Sequence, residues 1–248
     1  MSSFGLHKSS AHLMHSHKIL NIASPDATLV DNLSNELGVS SILAQILANR
    51  GLKSIDEAKD FLNPTPKQLL DPYSFSGMHN AVNLINEAFK NKERVMVFGD
   101  YDVDGITALA LLKTTLGNLG LDVVHYLPHR IREGYGLNKN ILHIAKQKNI
   151  KLLITVDCGI SNHKEIEELK AHNIKTIITD HHEPTSVTLP PASSIINPKL
   201  KGCSYKYRDL AGVGVAYKLC QAISDSMLLD DLDLVSLGTI ADSVPLTG

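Results

Sequence analysis

Acidic and histidine side chains follow three segments that have the composition of buried strands. They are Asp100-Tyr101-Asp102-Val103-Asp104-Gly105 after residues 94–99, Asp157-Cys158-Gly159 after residues 151–156, and Asp180-His181-His182 after residues 174–179. Carboxylates held close together repel one another and are driven towards protonation. One or two divalent cations would remove that repulsion. A set rich in oxygen, with one or two histidines, suits Mn²⁺ or Mg²⁺ better than a metal that prefers thiolates.

The elements that position these residues alternate in type along the chain. Strands are predicted at 94–98, 122–127, 151–156 and 174–179, and helices at 106–119, 138–148 and 162–172. Strands that alternate with helices of this length indicate a parallel sheet with crossover helices. The carboxyl ends of such strands share one edge, where ligands bind. The predicted fold class is therefore α/β, with a mostly parallel sheet and helices on both faces.

A short helical segment precedes the predicted sheet. Helices are predicted at 40–50, 54–62 and 77–90, with Ser54 as N-cap of the second and Glu57 completing its capping box. Residues 1–24 are predicted to be an exposed tail, although four histidines there could bind a metal: His7, His12, His15 and His17. We expect three parts: a flexible tail at 1–24, a helical lead-in at 25–91 and a catalytic domain at 92–248.

Composition excludes several classes of protein. The 248 residues are 43% hydrophobic and 20% charged, which is typical of a folded globular chain and not of a disordered or fibrous one. The sequence lacks the ~18 consecutive apolar residues of a membrane span, and its start does not resemble a signal peptide. Three cysteines without Cys-x-x-Cys spacing favour a cytoplasmic location. The net charge of −2 gives no bulk attraction to polyanions, which would need a local patch or metal ions.

Each acidic motif also has a simpler interpretation. Asp-x-Asp-x-Asp-Gly could begin an EF-hand loop, but position 12 is Leu111 instead of Glu, and the segment follows a strand. Asp104 or Asp157 could cap a helix, and His181 alone could be a core histidine. Because separate caps would not require clustered acids together with two histidines, the combination favours a metal site.

Together these motifs resemble those of the DHH phosphoesterase superfamily, named for the triplet seen here as Asp180-His181-His182. The likeness extends over residues 34–248 and is greatest to the RecJ-type branch of single-strand-specific 5′→3′ DNA exonucleases. It is carried by Ile46-Leu-Ala-Asn-Arg-Gly51, Gly99-Asp-Tyr-Asp-Val-Asp-Gly105, Tyr126-Leu-Pro-His-Arg130, Glu133-Gly-Tyr-Gly-Leu137, Thr155-Val-Asp-Cys-Gly159, Thr179-Asp-His-His182, Leu210-Ala-Gly-Val-Gly-Val215 and Leu237-Gly-Thr-Ile-Ala-Asp-Ser-Val-Pro-Leu246. The Asp-Tyr-Asp-x-Asp-Gly form separates this branch from the superfamily's pyrophosphatases and short-oligonucleotide hydrolases.

The resemblance implies a site with two ions, Mn²⁺ or Mg²⁺. The implied metal ligands are Asp102, Asp104, Asp157 as the bridge, His181 and Asp242. The implied catalytic residues are Asp157, His181, His182 and Asp100. Asp100 and His182 would bind a metal or hydrogen-bond to a ligand, and His182 would help to hold the scissile phosphate. Asp180 would orient a ligand from behind.

Three further segments could contact nucleic acid. His129, Arg130 and Arg132 follow a strand and could donate to phosphates, although Arg130 could instead pair with a carboxylate. Gly212 and Gly214 precede a helix predicted at 215–223, where backbone N–H groups could hold a terminal phosphate or the glycines could serve packing. A basic stretch could follow a DNA strand or be a solvated loop; it contains Lys199, Lys201, Lys206 and Arg208, with Tyr205 and Tyr207 between them.

The function implied by the resemblance is metal-dependent 5′→3′ hydrolysis of single-stranded DNA in repair and recombination, by two-metal activation of water. The implied partners are single-stranded DNA, a single-strand-binding protein and a helicase, and no membrane. Two alternatives stay open: a small-substrate phosphoesterase acting on oligonucleotides or a nucleoside bisphosphate, and a non-catalytic nucleic-acid-binding module.

Members of this branch usually continue into a second DHH-associated domain and often an OB-fold. Neither C-terminal domain is found in these 248 residues. A fragment, a truncated form and a naturally short chain are all compatible with this. We expect weaker affinity and lower processivity on long DNA without those domains.

Overall fold

A computed structural model of the chain describes residues 26–246. These residues form two compact units that divide between Pro64 and Thr65. The histidine-containing tail predicted at residues 1–24 lies outside the described residues. The predicted domain boundaries, at residues 25 and 92, stay a prediction. Within the described part of the chain, no helix has the length and apolar character needed to cross a membrane.

The described part of the first unit, residues 26–64, contains three helices: α1 (Ala27–Leu37), α2 (Ser41–Asn49) and α3 (Ile55–Leu62). Ser54 and Glu57 form the predicted capping box at the start of α3, where each side chain accepts a backbone N–H of the other residue. Leu33 and Leu47 are buried at the centre of this unit. The sequence pattern predicts α2 and α3, whereas α1 is not predicted.

The second unit is built on one sheet of five parallel strands. Its elements in chain order are α4 (Met78–Lys90), β1 (Arg94–Gly99), α5 (Val103–Asn118), β2 (Val123–Tyr126), α6 (Arg130–Glu133), α7 (Ile141–Gln147), β3 (Ile150–Val156), α8 (His163–Ala171), β4 (Lys175–Thr179), β5 (Ser194–Ile196), α9 (Gly212–Ser224) and α10 (Leu232–Ala241). The strand order is β2-β1-β3-β4-β5, and every neighbouring pair is parallel. The predicted parallel α/β fold is confirmed.

Alternate side chains of the strands enter two separate cores, one on each face of the sheet. Val95 and Val97 of β1 pack with α4, α5 and α9, whereas Met96 and Phe98 pack with α7 and α8. Side chains of a strand point alternately to opposite faces, so near-continuous apolar strands are expected when both faces are covered. The prediction of helices on both faces is confirmed.

The register of the central strands determines which residues meet at their carboxyl ends. Gly99 of β1 pairs with Val156 of β3, and Val156 pairs with Thr179 of β4. The next residue of each strand is Asp100, Asp157 and Asp180, respectively. The fold therefore places the three acidic motifs side by side at one edge of the sheet.

Candidate metal centre

The strand ladder continues by one residue into the acidic motifs. The backbone N–H of Asp157 donates to the carbonyl oxygen of Thr179 at 3.0 Å, and that of Asp180 donates to Ile196 at 3.1 Å. Asp100 and Asp157 are each 2% exposed, and Asp180 is fully buried. Backbone pairing therefore fixes Asp157 and Asp180, and all three carboxylates are shielded from the water that would otherwise solvate their charge.

His181 lies at the centre of the acidic cluster. Its Nε2 atom is 3.2 Å from Oδ1 of Asp157 and 3.7 Å from Oδ2 of Asp104. Oδ2 of Asp242, the residue that ends α10, is also 3.7 Å away. The structure thus brings Asp242 to the strand ends, where only the family resemblance had placed it.

Within residues 26–246, three groups of donor atoms are close enough to hold cations. Within each group the atoms lie within 4.8 Å of one another; the groups are Asp157, His181 and His182; Asp104, His181 and Asp242; and Asp100, Asp102 and Asp157. Each of the five predicted metal ligands belongs to at least one of these groups, and so do Asp100 and His182, which were predicted to lie next to the metals.

Several of these donor atoms have no hydrogen-bond partner. Among the described residues, Oδ1 of Asp100, Oδ1 of Asp157 and Nε2 of His181 are buried and unpartnered. Buried polar atoms are normally hydrogen-bonded, because leaving one unsatisfied costs about 1–3 kcal/mol. Divalent cations bound by the donor groups that contain these atoms would satisfy all three, and the mixture of carboxylates and imidazole suits Mn²⁺ or Mg²⁺. The residues therefore fit the metal that the resemblance implies.

Burial destabilises the ionised form of the carboxylates in this cluster when no cation is bound. Desolvation, followed by the charges of Asp104 and Asp102, raises the pKa of Asp157 to about 10. Desolvation also raises the pKa of Asp100 and of Asp104. Burial lowers the pKa of His181, which keeps its imidazole neutral and able to act as a metal ligand.

Asp180 holds the histidine pair in place. Its Oδ1 accepts the backbone N–H of His181 at 2.7 Å and that of His182 at 3.1 Å, and it lies 2.7 Å from Nδ1 of His182. Its Oδ2 accepts the N–H of Ile160 at 2.9 Å. The hydrogen bond to Asp180 raises the pKa of His182 to about 9. This geometry is that of a residue that orients its neighbours; the orientation of a metal ligand by Asp180 stays a prediction.

The N-terminus of α9 holds Asp104. The N–H of Gly212 donates to Oδ2 of Asp104 at 2.6 Å, and the N–H of Val213 donates to Oδ1 at 2.7 Å. A Cβ atom on Gly212 would lie 2.5 Å from Oδ1 of Asp157, and one on Gly214 would lie 2.6 Å from Cγ of Leu210. Both glycines thus have a packing role, and their binding of a terminal phosphate stays a prediction.

The predicted basic contacts lie at or near α6. His129, Arg130 and Arg132 are all exposed. The guanidinium of Arg130 lies over the ring of Tyr101, 5.2 Å from its centroid, and Tyr101 follows Asp100 at the same sheet edge. This cation–π contact keeps Arg130 next to the cluster while leaving the side chain accessible.

In the basic stretch from Lys199 to Arg208, fewer side chains are available to contact nucleic acid than the sequence suggests. Tyr205 is only 4% exposed and stacks on Phe75, with ring centroids 4.1 Å apart, so its ring is not available for base stacking. The hydroxyl of Tyr207 donates to the carbonyl of Pro245. Arg208 donates to the carbonyl of Lys199 at 2.9 Å, which folds the loop onto itself.

One residue of the site was not predicted from the sequence. The hydroxyl of Tyr135 lies 3.1 Å from Nδ1 of His182 and donates to the carbonyl of Asp157 at 3.3 Å. No local pattern connects position 135 with 157 or 182. The Glu133-Gly-Tyr-Gly-Leu137 motif supports the family resemblance, but it does not show that Tyr135 lies beside His182.

Comparison with known proteins identifies the family of this chain. Residues 94–239 match the family model described as the N-terminal domain of the DHH family. The chain belongs to the DHH family. The single-stranded-DNA-specific exonuclease RecJ of Bacillus subtilis is 39% identical over 225 residues, which cover 91% of this chain and 28% of that protein. RecJ of Escherichia coli is 38% identical over 221 residues, covering 83% of this chain and 37% of that protein.

Solved structures of RecJ exonucleases are also similar to this chain. RecJ of Thermus thermophilus in complex with Mn²⁺ superposes with a TM-score of 0.75 at 31% identity, covering 92% of this chain and 32% of that one. A RecJ exonuclease bound to manganese gives a TM-score of 0.66 at 37% identity, covering 73% of this chain and 46% of that one. The chain therefore spans less than half the length of each of these relatives.

Proposed function

We propose that this chain is the catalytic DHH domain of a 5′→3′ exonuclease that hydrolyses single-stranded DNA with Mn²⁺ or Mg²⁺. The observation that carries the proposal is the convergence of Asp100, Asp157 and His181, whose buried donor atoms lack hydrogen-bond partners among the residues that the structure describes. Substrate and polarity rest on the similarity to RecJ exonucleases. A role in repair and recombination, the partnership with a single-strand-binding protein and a helicase, and a cytoplasmic location belong to the same proposal.

Two ions would be held by the donor groups around His181. Asp157 belongs to two of the three groups and is the proposed shared ligand, with Asp102, Asp104, His181 and Asp242 completing the set. When bound, such ions acidify a water molecule and polarise phosphate oxygens. Asp104 is the best-fixed ligand, because both of its oxygens accept N–H groups from α9.

The other polar residues would hold and orient the phosphate. Because its pKa is raised to about 9, His182 is cationic at neutral pH and is the proposed donor to a phosphate oxygen. Asp180 fixes the ring that makes this contact. Arg130, exposed beside Asp100, is the proposed second phosphate contact. Cys158 is excluded as a nucleophile, because it is fully buried and burial raises the pKa of its thiol.

A cleavage assay tests the proposal. The chain is incubated with a 3′-labelled, 5′-phosphorylated single strand, with a duplex as control, with and without Mn²⁺. We expect Mn²⁺-dependent shortening of the single strand from its 5′ end and little change in the duplex. Hydrolysis of a dinucleotide but not of the longer strand would favour the small-substrate phosphoesterase. Failure to cleave either substrate would favour the non-catalytic module.

A further inference from the structure

A cavity of about 250 Å³ adjoins the metal centre on the side of α8. Its walls are formed by Tyr135, residues 159–162, Asp180, and residues 182, 183 and 185. His182 and Asp180 belong both to this wall and to the metal centre. A group bound in the cavity would therefore be close enough to the cleaved phosphate to be part of the same substrate.

Tyr135 forms part of the wall of this cavity, and hydrogen bonds hold its segment in place. It lies between Gly134 and Gly136, whose φ angles of 79° and 76° are in the region that favours glycine. The side chain of Asn162 fastens the segment by bonding both the N–H and the carbonyl of Leu137, at 3.3 and 3.1 Å. A Cβ atom on Gly136 would lie 2.8 Å from Oδ1 of Asn162, so this close contact also requires a glycine.

The ring of Tyr135 is accessible although its hydroxyl is bonded. The residue is 51% exposed, while the hydroxyl contacts His182 and the carbonyl of Asp157. An aromatic ring that is held in place before a ligand arrives loses little conformational entropy on binding. Aromatic side chains of this kind bind the bases of single strands by stacking, with little dependence on sequence.

The chemistry of the cavity favours a neutral ring over a second phosphate. Its lining, all within the described part of the chain, contains no lysine or arginine and includes the exposed carboxylate of Glu183. The ring of His182, which also lines the cavity, is already bonded to the carboxylate of Asp180. The hydroxyls of Ser161 and Thr185 lie 3.1 Å apart and can each donate or accept a hydrogen bond. The volume is slightly below the ~300 Å³ lower end of common small-molecule pockets, which limits the occupant to about one nucleoside.

We propose that Tyr135 and this cavity form a subsite for one nucleoside of the DNA strand, adjoining the phosphate that is cleaved. The inference rests on the proposed function, because it assigns the cavity to the same substrate. Stacking on Tyr135 would bind the base, and the Ser161 and Thr185 hydroxyls would contact base or sugar. The subsite would add affinity at the metal centre for any base.

The test uses nucleoside binding in addition to cleavage. Ligand-observed saturation-transfer NMR with thymidine is recorded in EDTA, because an uncharged probe is not repelled by the metal-free carboxylates. We expect saturation of thymidine by the wild type and by Tyr135→Phe, and its loss in Tyr135→Ala. Thr185→Phe, on an exposed loop residue, fills the cavity and should also abolish the signal. Phe89→Ala is the matched control, since Phe89 is 50% exposed and lies near the start of β1, at the opposite sheet edge.

Cleavage kinetics and metal affinity separate the subsite from a structural role. On the single strand, Tyr135→Ala should raise KM about tenfold or more, in line with the worth of base stacking, and change kcat less. The affinity of each variant for Mn²⁺ should stay within about threefold of the wild type, which a collapsed metal centre would not allow. Thymidine binding that survives in Tyr135→Ala, or is absent from the wild type, would overturn the inference even if the wild type cleaves DNA. Thymidine binding at Tyr135 without any cleavage would support the subsite and refute the proposed nuclease.

Discussion

Nε2 of His181 lies 3.2 Å from Oδ1 of Asp157, yet within the described residues neither atom makes a hydrogen bond. The two atoms face each other in a buried place where polar atoms are normally satisfied. Asp104 and Asp242 approach the same imidazole nitrogen at 3.7 Å. Cations held by these donor groups would satisfy the two unpartnered atoms, which makes this contact the basis of the functional predictions.

Replacement of Asp157 should stop cleavage without unfolding the protein. Asn has nearly the same volume but carries no charge, so Asp157→Asn keeps the strand end and loses the shared ligand. Loss of a residue that only supports a ligand typically costs 10–100-fold in activity, so we expect a decrease of at least about 100-fold here. Initial rates on single-stranded DNA measure this. Asp122→Asn, which breaks only the exposed pair with Arg94, is the control, and a variant at position 157 with near-normal rates would contradict the assignment.

A methyl group on Gly212 should disturb the metal centre. The new Cβ would lie 2.5 Å from Oδ1 of Asp157, on the residue whose N–H holds Asp104. We expect Gly212→Ala to lower the affinity for Mn²⁺ by about tenfold or more, as measured by titration calorimetry. The control is Gly117→Ala in α5, where a Cβ meets nothing within 4 Å. This change should leave Mn²⁺ affinity intact and stabilise the helix by up to about 1 kcal/mol. Equal affinities in the two variants would refute the close contact.

Metal-free protein should lose stability as the pH rises. The pKa of Asp157 is raised from 3.8 to about 10, so the folded protein retains a proton that the unfolded chain releases. The resulting stabilisation is complete below pH 3.8 and diminishes as the pH rises towards 10. Thermal melts in EDTA at pH 5, 7 and 9 should show a falling Tm. The fall should be smaller in Asp157→Asn, and an identical fall in both proteins would contradict this origin.

The orientation of the histidine pair should depend on Asp180. Its carboxylate accepts three backbone N–H groups and contacts the His182 ring. Asp180→Asn replaces one acceptor oxygen by a donor and removes the charge that raises the pKa of His182. We expect cleavage to fall about 10–100-fold while the protein stays folded. NMR titration of the His182 ring should show a lower pKa in the variant; an unchanged pKa would show that Asp180 does not control this imidazole.

The sequence predicts those parts of the molecule that depend on local pattern. Strand composition and alternation with helices identified β1 to β4, and the rule that parallel strands share a carboxyl edge placed Asp100, Asp157 and Asp180 together. Helix α5 begins at Val103 and not at Ile106, because the side chain of Asp102 accepts the N–H of Gly105 and so starts the helix inside the acidic motif.

Contacts between distant segments could not be predicted in this way. β5 has only three residues and carries no periodic signal. Asp242 ends a helix and has no local feature that marks it as a ligand, so its position 3.7 Å from His181 depends on how α10 packs. The carboxylate of Asp104 occupies the N–H of Gly212, 108 residues away, which local sequence does not reveal.

The central claim, that the strand-end cluster binds divalent cations, is tested most directly by calorimetric titration of the metal-free chain with Mn²⁺. We predict saturable binding of two ions per chain in the wild type, with release of protons from the buried carboxylates. Asp157→Asn should lose both sites or weaken them by at least about 100-fold, because this residue is the proposed shared ligand. Absence of binding in the wild type, or binding that is the same in Asp157→Asn, would contradict the account.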